Sequence, residues 1–326
     1  MESMVNEELA AHCRVVSRRL REGRVVPFLG AGANLCGRPS GADWRNGRYL
    51  PSGGELAAYL AESYAYPTRE AQDLLRVSQY IQAVTGGTVL YEELHELFTR
   101  QYEPNELHTF LAAVPRAVRA WREEGHPATY QLIVTTNYDD ALECAFERAD
   151  EQFDLVTYVA KGPNRGKFAH RRPDGEIRFI EEPNRYRELA LDVRTVILKI
   201  HGAVDRADPS QDSYVITEDN YIEYLAQKDI SNLLPVTLMA AMSESHFLFL
   251  GYSLSDWNLR VILQRIWGEL PFEEQFTSWA IQSDPSRLEA RLWRRRNVEI
   301  LNVDLAEYID DLRRVCIAPT EARQPL

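Results

Sequence analysis

Val25-Val26-Pro27-Phe28-Leu29-Gly30-Ala31-Gly32-Ala33-Asn34 is the stretch on which the reading of this chain turns. A short apolar run ending in closely spaced glycines describes a buried parallel strand that turns into a phosphate-facing loop. Glycine suits such a turn because a side chain would keep backbone N–H groups from approaching a pyrophosphate. The spacing Gly30-x-Gly32-x-x-Leu35 lacks the third glycine of the usual dinucleotide fingerprint. A core strand closed by a tight turn would look the same, so the stretch needs support from elsewhere in the chain. Thr135-Thr136-Asn137-Tyr138-Asp139 and Lys199-Ile200-His201-Gly202 supply it.

Both are strand ends. Gln131-Leu132-Ile133-Val134-Thr135 is apolar and β-branched, and it runs straight into Asn137 and Asp139. Polar groups at the carboxyl end of a parallel strand sit where open α/β sheets bind ligands. Either side chain would equally serve as a cap for the helix predicted from Ala141 to Arg148. Thr195 to Ile200 is a further strand, and it delivers His201-Gly202. Histidine is not a preferred core residue, and its unperturbed pKa suits proton transfer near neutrality. Asp205 is close enough in sequence to tune it. Phe247 to Leu250 ends in Gly251-Tyr252-Ser253-Leu254-Ser255-Asp256, again emptying a strand into glycine, hydroxyls and a carboxylate. With strands at Thr277–Ile281 and Val298–Val303, about six strands alternate with helical stretches. That alternation predicts an α/β fold, a Rossmann-like doubly wound parallel sheet.

The chain is expected to form one unit over residues 1–326, with its sheet core in 20–50, 128–150 and 194–326. A helix over 5–22 is stopped by Gly23, and Cys36–Gly54 reads as a long surface loop. Ser52, three residues before Glu55, has the spacing of a capping box. From there to about Glu124 the apolar spacing is helical without strands, so 51–127 reads as a helical insertion placed to lie over one end of the sheet as a lid. His95 and His108 fall on its helix faces and read as ordinary structural or surface residues. Residues 151–193 read as a small irregular insertion, with a short edge strand at Phe179–Pro183 and a solvated basic segment at Arg165–Arg172. Helices are expected over Thr217–Met242, Asn258–Trp267 and Leu305–Val315.

Composition narrows the function classes. The 326 residues are 45% hydrophobic and 10% aromatic, enough for a sizeable core, and carry a net charge of −12. That charge disfavours direct nucleic-acid binding; besides Arg165–Arg172, Arg291 to Arg296 is locally basic, and such a run more often faces solvent or a protein partner. Cys13, Cys36, Cys144 and Cys316 are far apart and form no Cys-x-x-Cys pair, which argues against a disulfide framework and against structural zinc. The acidic N-terminus has no apolar signal core and no run approaches a membrane span, so the expected compartment is the cytoplasm.

Gly30-Ala31-Gly32, Thr136-Asn137-Tyr138-Asp139 and the later His201-Gly202, in this order on strand ends, resemble the sirtuin family over roughly residues 20–315. The resemblance implies NAD+ as substrate. In it Gly30, Ala31, Gly32, Ala33 and Asn34 belong to the pyrophosphate loop, and Asp139 binds the carboxamide. Asn137 orients the ribose hydroxyls or the attacking water, and His201 is the general base. Gly251 and Ser253 contact ribose or phosphate, and Gln282 stands where deacylases place an adenosine-ribose Asn. Asp256 either orders its loop or caps the next helix.

Departures from the deacylases matter as much. Residues 151–193 hold no cysteine and so no zinc module, and Gly251-Tyr252-Ser253 stands in place of Gly-Thr-Ser. Those features resemble the sirtuin-like domains of bacterial antiphage systems, which hydrolyse NAD+ to starve an infected cell in abortive infection. That branch implies a trigger, either assembly into a homo-oligomer or a separate activating protein such as a HerA-type ATPase or a short Argonaute. An NAD-dependent protein deacylase is the runner-up, weakened by the missing zinc module. A regulatory module that binds NAD or ADP-ribose without turnover is a third reading.

Overall fold

The computed structural model describes residues 2–67, 71–226, 234–252, 263 and 276–317. At its centre β1 (Val25–Leu29) is buried along its whole length. It pairs in parallel with β2 (Leu132–Thr135) on one side and β9 (His246–Leu250) on the other. Beyond β9 lie β10 (Ser278–Ile281) and β11 (Val298–Leu301), both parallel. Beyond β2 come β6 (Thr195–Lys199) and β3 (Phe153–Tyr158), also parallel, then β4 (Phe168–Arg171) and β5 (Ile177–Phe179), antiparallel. The order is β11-β10-β9-β1-β2-β6-β3-β4-β5, the doubly wound parallel arrangement with an antiparallel extension. β7 (Gly202–Ala203) and β8 (Ser213–Tyr214) form a separate small ribbon.

The sheet is wider than the six strands expected. Residues 151–193 are not irregular: they provide β3, β4 and β5, and the edge strand is Ile177–Phe179 rather than 179–183. The single helix expected over 217–242 is two, α7 (Glu218–Ala226) and α8 (Val236–Ser243). Pro235 sits just ahead of α8, where its missing N–H and fixed φ are tolerated. The helix expected over 258–267 lies, apart from residue 263, outside the described residues.

Alternation along the central strands loads both faces of the sheet. Val25, Leu29, Ile133, Ile197, Leu248 and Leu250 pack on one side. Their partners are α1 (Glu2–Arg21), α5 (Glu106–Glu123), α6 (Ala141–Arg148) and the helix Leu305–Cys316. Val26, Phe28, Val134, Val196, Leu198 and Phe249 pack on the other side, against α7, α8 and Trp293. Gly23 ends α1 with φ +70°, as its sequence position predicts.

Within 51–127 the helices divide. α2 (Gly53–Ser63), α3 (Leu74–Thr85) and α4 (Gly87–Phe98) build their own apolar cluster with Tyr214 and Ile216, whereas α5 belongs to the sheet's helical layer. The capping box forms as read: Ser52 Oγ accepts from Glu55 N–H (3.2 Å), and Glu55 Oε2 accepts from Ser52 N–H (2.8 Å). Among the described residues no helix is long and apolar enough to cross a membrane.

Candidate functional site

The carboxyl ends of the central strands finish in one row. Leu29 pairs with both Leu250 and Thr135, Thr135 with Lys199, and Leu250 with Ile281. Gly30, Thr136, Gly251 and Gln282 are therefore the next residues along four neighbouring strands, and His201 lies two beyond Lys199. Strand order reverses between β1 and β9, which is where an open α/β sheet leaves a crevice. A cleft of about 910 Å³ opens there. Its lining includes Gly30, Ala31, Gly32 and Asn34, then Asn137, Asp139 and His201, then Gly251 and Gln282. Ala33 is fully buried behind it, its carbonyl accepting from Asn105 Nδ2 at 2.8 Å. Ser253 and Asp256 lie outside the described residues.

The glycines serve a purpose that their sequence pattern does not reveal. Gly30 N–H donates to Leu250 O (3.1 Å) and Gly32 N–H to Gly251 O (2.8 Å), so both amides are used within the protein. A β-carbon on Gly32 would stand 2.6 Å from Gly251 O. One on Gly251, which has φ +64°, would stand 1.9 Å from Ala33 N. These residues let two strand ends interlock at the switch point, and they do so with backbone alone. Ala31 opens a 3-10 turn over Ala31–Leu35, the position whose N–H such a turn leaves unused.

Three buried polar side chains meet beside that turn. Asn34 Nδ2 donates to Asp139 Oδ2 (3.0 Å), and Asn137 Nδ2 donates to Gly30 O (3.2 Å). Asp139 Oδ1 also accepts from Ala141 N–H (3.2 Å), so Asp139 both supports the start of α6 and lines the cleft. Beneath them Lys199, buried in β6, donates to Asp139 O and to Glu143 Oε1 (2.7 Å for the latter). Burial raises the Glu143 carboxyl, outweighing the Lys199 ammonium that pulls it down. His108 closes a capping box at the start of α5, its Nδ1 accepting from Asn105 N–H (3.3 Å). Burial lowers that ring to about 4, against the pull of the Asp139 carboxylate, so the role expected from the sequence, a structural one, fits its contacts.

His201 is 2% exposed. Its Nδ1 lies 3.2 Å from Tyr221 Oη, and its ring meets Tyr221 and Tyr224 edge-on at 5.1 and 5.7 Å between centroids. Nε2 is buried without a partner among the described residues. Burial pushes the ring down to about 3, so it is uncharged through the physiological range. Asp205 does not tune it. That carboxylate pairs with Arg171 and accepts from the N–H groups of Ala207 (2.9 Å) and Asp208 (3.1 Å), holding its own turn.

At the other end of the cleft Gln282 bonds through its N–H to Leu301 O (3.1 Å), while its Oε1 is buried and unpartnered among the described residues. Helix N-termini converge on the same space. Ser52 and Gly53 of α2, Asp73 and Leu74 of α3, and Asp304 and Leu305 of the helix Leu305–Cys316 all line it. Each of these N-termini is capped by the protein's own side chain: Ser52 accepts from Glu55 N–H, Asp73 from Arg76 N–H, and Asp304 from the N–H groups of Ala306 and Glu307.

Sequence reading passed over Lys199, Glu143 and Tyr221. A lysine inside Val196-Ile197-Leu198-Lys199-Ile200 is the signal that could have flagged the first, since a charge on a buried strand needs a partner. Tyr221 offered no signal beyond its place on an apolar helix face.

A family model described as a SIR2-like domain matches residues 131–301, just over half of the chain. The chain is 26% identical over 255 residues to NAD(+) hydrolase ThsA of Enterococcus faecium, which covers 77% of this chain and 41% of that protein. With the protein of the same name from Cytobacillus dafuensis it shares 24% over 253 residues, covering 76% and 39%. With that of Acinetobacter baumannii it shares 27% over 255 residues, covering 77% and 41%. The matched region thus spans only about two fifths of each relative's length.

Proposed function

The chain belongs to the SIR2-like domain family, and on that footing we propose that it hydrolyses NAD+ to nicotinamide and ADP-ribose. The observation that carries this reading is the unpartnered, buried Nε2 of His201 sharing one cleft with Asn137 and Asp139. The cleft reaches from the end of β6 to the end of β10, four strand spacings, or roughly 19 Å at ~4.8 Å each, which suits an extended dinucleotide. Supporting it, all three curated relatives are named NAD(+) hydrolases.

In this reaction the C1′–N bond of the nicotinamide ribose breaks and its electron pair goes to the pyridinium nitrogen. A water oxygen bonds to C1′ through an oxocarbenium-like transition state, as in other glycoside hydrolyses. The water's proton passes to His201 Nε2 and then to solvent. The uncharged imidazole is the form that accepts it, and an electrophile of this kind needs only weak assistance from a base. Asn137 orients the ribose hydroxyls or the water, and Asp139, with acceptor capacity left on its carboxylate, takes the carboxamide N–H groups. Ala31 and Asn34, with Gly30 and Gly32 shaping the turn, face the pyrophosphate, and Gln282 and Gly251 face the adenosine side. Ala33 acts by packing. Ser253 and Asp256 keep the roles the family resemblance implies. In the same reading α2, α3 and the end of α4, within 51–127, close the site as a wall, with the core segments 20–50, 128–150 and 194–326 carrying the chemistry.

The biological setting follows from the resemblance to sirtuin-like defence domains: depletion of NAD+ in an infected bacterial cytoplasm, restrained until assembly or an activating protein releases it. The test is NAD+ consumption by the purified protein, alone and with products of neighbouring genes. Asn137→Ala and His201→Ala are each expected to lower turnover by about 100-fold or more. Turnover only with an acyl-lysine peptide would assign deacylation instead, and NAD+ binding without turnover under every condition would leave a regulatory module.

A further inference from the structure

We propose that Tyr221 is the positioning residue that fixes the tautomer of His201, its Oη accepting from Nδ1–H so that Nε2 is left as the acceptor nitrogen of the ring. A neutral imidazole has one donor and one acceptor nitrogen. Nε2 can take a proton from water only when Nδ1 carries the ring hydrogen. The group 3.2 Å from Nδ1 is the Tyr221 hydroxyl, whose oxygen can accept. The two nitrogens therefore have unlike surroundings: Nδ1 lies beside a hydroxyl, and Nε2 is buried and unpartnered among the described residues, on a residue that lines the cleft.

The element that carries the hydroxyl is itself fixed. Thr217 and Asn220 bond reciprocally at the start of α7: Thr217 Oγ1 accepts from Asn220 N–H, and Asn220 Oδ1 accepts from Thr217 N–H, both at 3.2 Å. Between them, Asp219 is tied to α3 twice, through Gln79 Nε2 to Asp219 Oδ2 (2.9 Å) and Asp219 N–H to Gln79 Oε1 (3.0 Å). α3 also presents Asp73 and Leu74 to the cleft, so the helix that walls the site braces the helix that orients its histidine. From the other side, Gly202 lets the chain turn at φ +86° directly after His201, where a β-carbon would meet Ser213 O at 2.1 Å. The ring is thus held between two rigid supports.

The catalytic part of this assignment rests on the NAD+ hydrolysis reading; the tautomer part does not. The experiment is a long-range ¹⁵N–¹H correlation spectrum of histidine-labelled protein, with the His201 signal identified by its loss in His201→Gln, alongside steady-state kinetics on NAD+. Wild type is expected to show His201 as the Nδ1–H tautomer. Tyr221→Phe, which keeps the aromatic packing, is expected to shift it toward Nε2–H and to lower kcat by about tenfold or more with KM changed by less than about threefold. An Nε2–H tautomer in wild type overturns the proposal, and that readout needs no variant to fold. So does Tyr221→Phe keeping either the wild-type tautomer or the wild-type kcat. If wild type shows Nδ1–H but consumes no NAD+ under any condition, the hydrolysis reading fails while the hydrogen bond stands.

Discussion

At position 251 a β-carbon would lie 1.9 Å from the backbone nitrogen of Ala33, and the residue sits at φ +64°. Nothing flexible can move out of the way. Gly251→Ala is expected to cost roughly 3–5 kcal/mol in urea unfolding, because overpacking and left-handed strain act together. Gly41→Ala, at φ +77° with open space around it, should cost only about 1–2 kcal/mol. Equal losses at the two sites would show that conformation alone, not the interlock, is what glycine provides. The histidines give a second prediction. His201 and His108 are lowered by burial to about 3 and about 4, below the ordinary value of 6.5. Between those values and 6.5 the unfolded chain binds protons that the folded one does not. Stability is therefore complete above about pH 6.5 and is lost as pH falls toward 4, by at most about 1.4 kcal/mol per pH unit for each ring. Unfolding free energies at pH 7 and pH 5 check this. NAD+ turnover, by contrast, should show no inflection near pH 6.5, since His201 remains neutral there.

Elements in this fold are tied together by charges that local patterns hide. Lys199 on β6 and Glu143 on α6 form a buried pair, and Lys199 also holds the Asp139 carbonyl in place. Lys199→Met should cost about 3–5 kcal/mol by stranding Glu143, and Glu143→Leu in the same chain should restore most of it. If the double variant is no more stable than Lys199→Met alone, the lysine matters for something other than its partner. β3 teaches the same lesson. Residues 151–193 read as irregular for their many Arg, Glu, Gly and Pro, and Phe153-Asp154-Leu155-Val156-Thr157-Tyr158 lies among them as a strand that carries a carboxylate. In the fold Asp154 is fully buried, bound by His170 Nε2 (2.9 Å) and Arg194 Nε (2.8 Å), both remote in sequence. Only when those partners arrive does a carboxylate become acceptable on an internal strand.

For the molecule as a whole, the proposed reading makes the cleft a nucleotide site that exists in the folded state only. ADP-ribose at 100 times its dissociation constant should therefore stabilise the protein by about 2.7 kcal/mol, seen as a raised Tm. Asn137→Ala and Gln282→Ala should each reduce that shift, the first from the β2 end of the cleft and the second from the β10 end. An unchanged Tm with ADP-ribose would mean that the folded chain does not bind it, and a shift that neither variant reduces would place the nucleotide elsewhere. What the amino-acid sequence determined by itself is local: apolar β-branched runs make buried strands, and polar residues immediately after them land at carboxyl ends, so Gly30, Asn137, Asp139 and His201 could be placed before any fold was known. What only the tertiary structure decided is which groups face one another. The pairing of Lys199 with Glu143, the contact of Gly251 with Ala33, the release of His201 from Asp205 and its approach to Tyr221 each join residues on separate elements. Such contacts are fixed by strand order and register, and by the need of every buried polar group for a partner, which no single stretch of sequence contains.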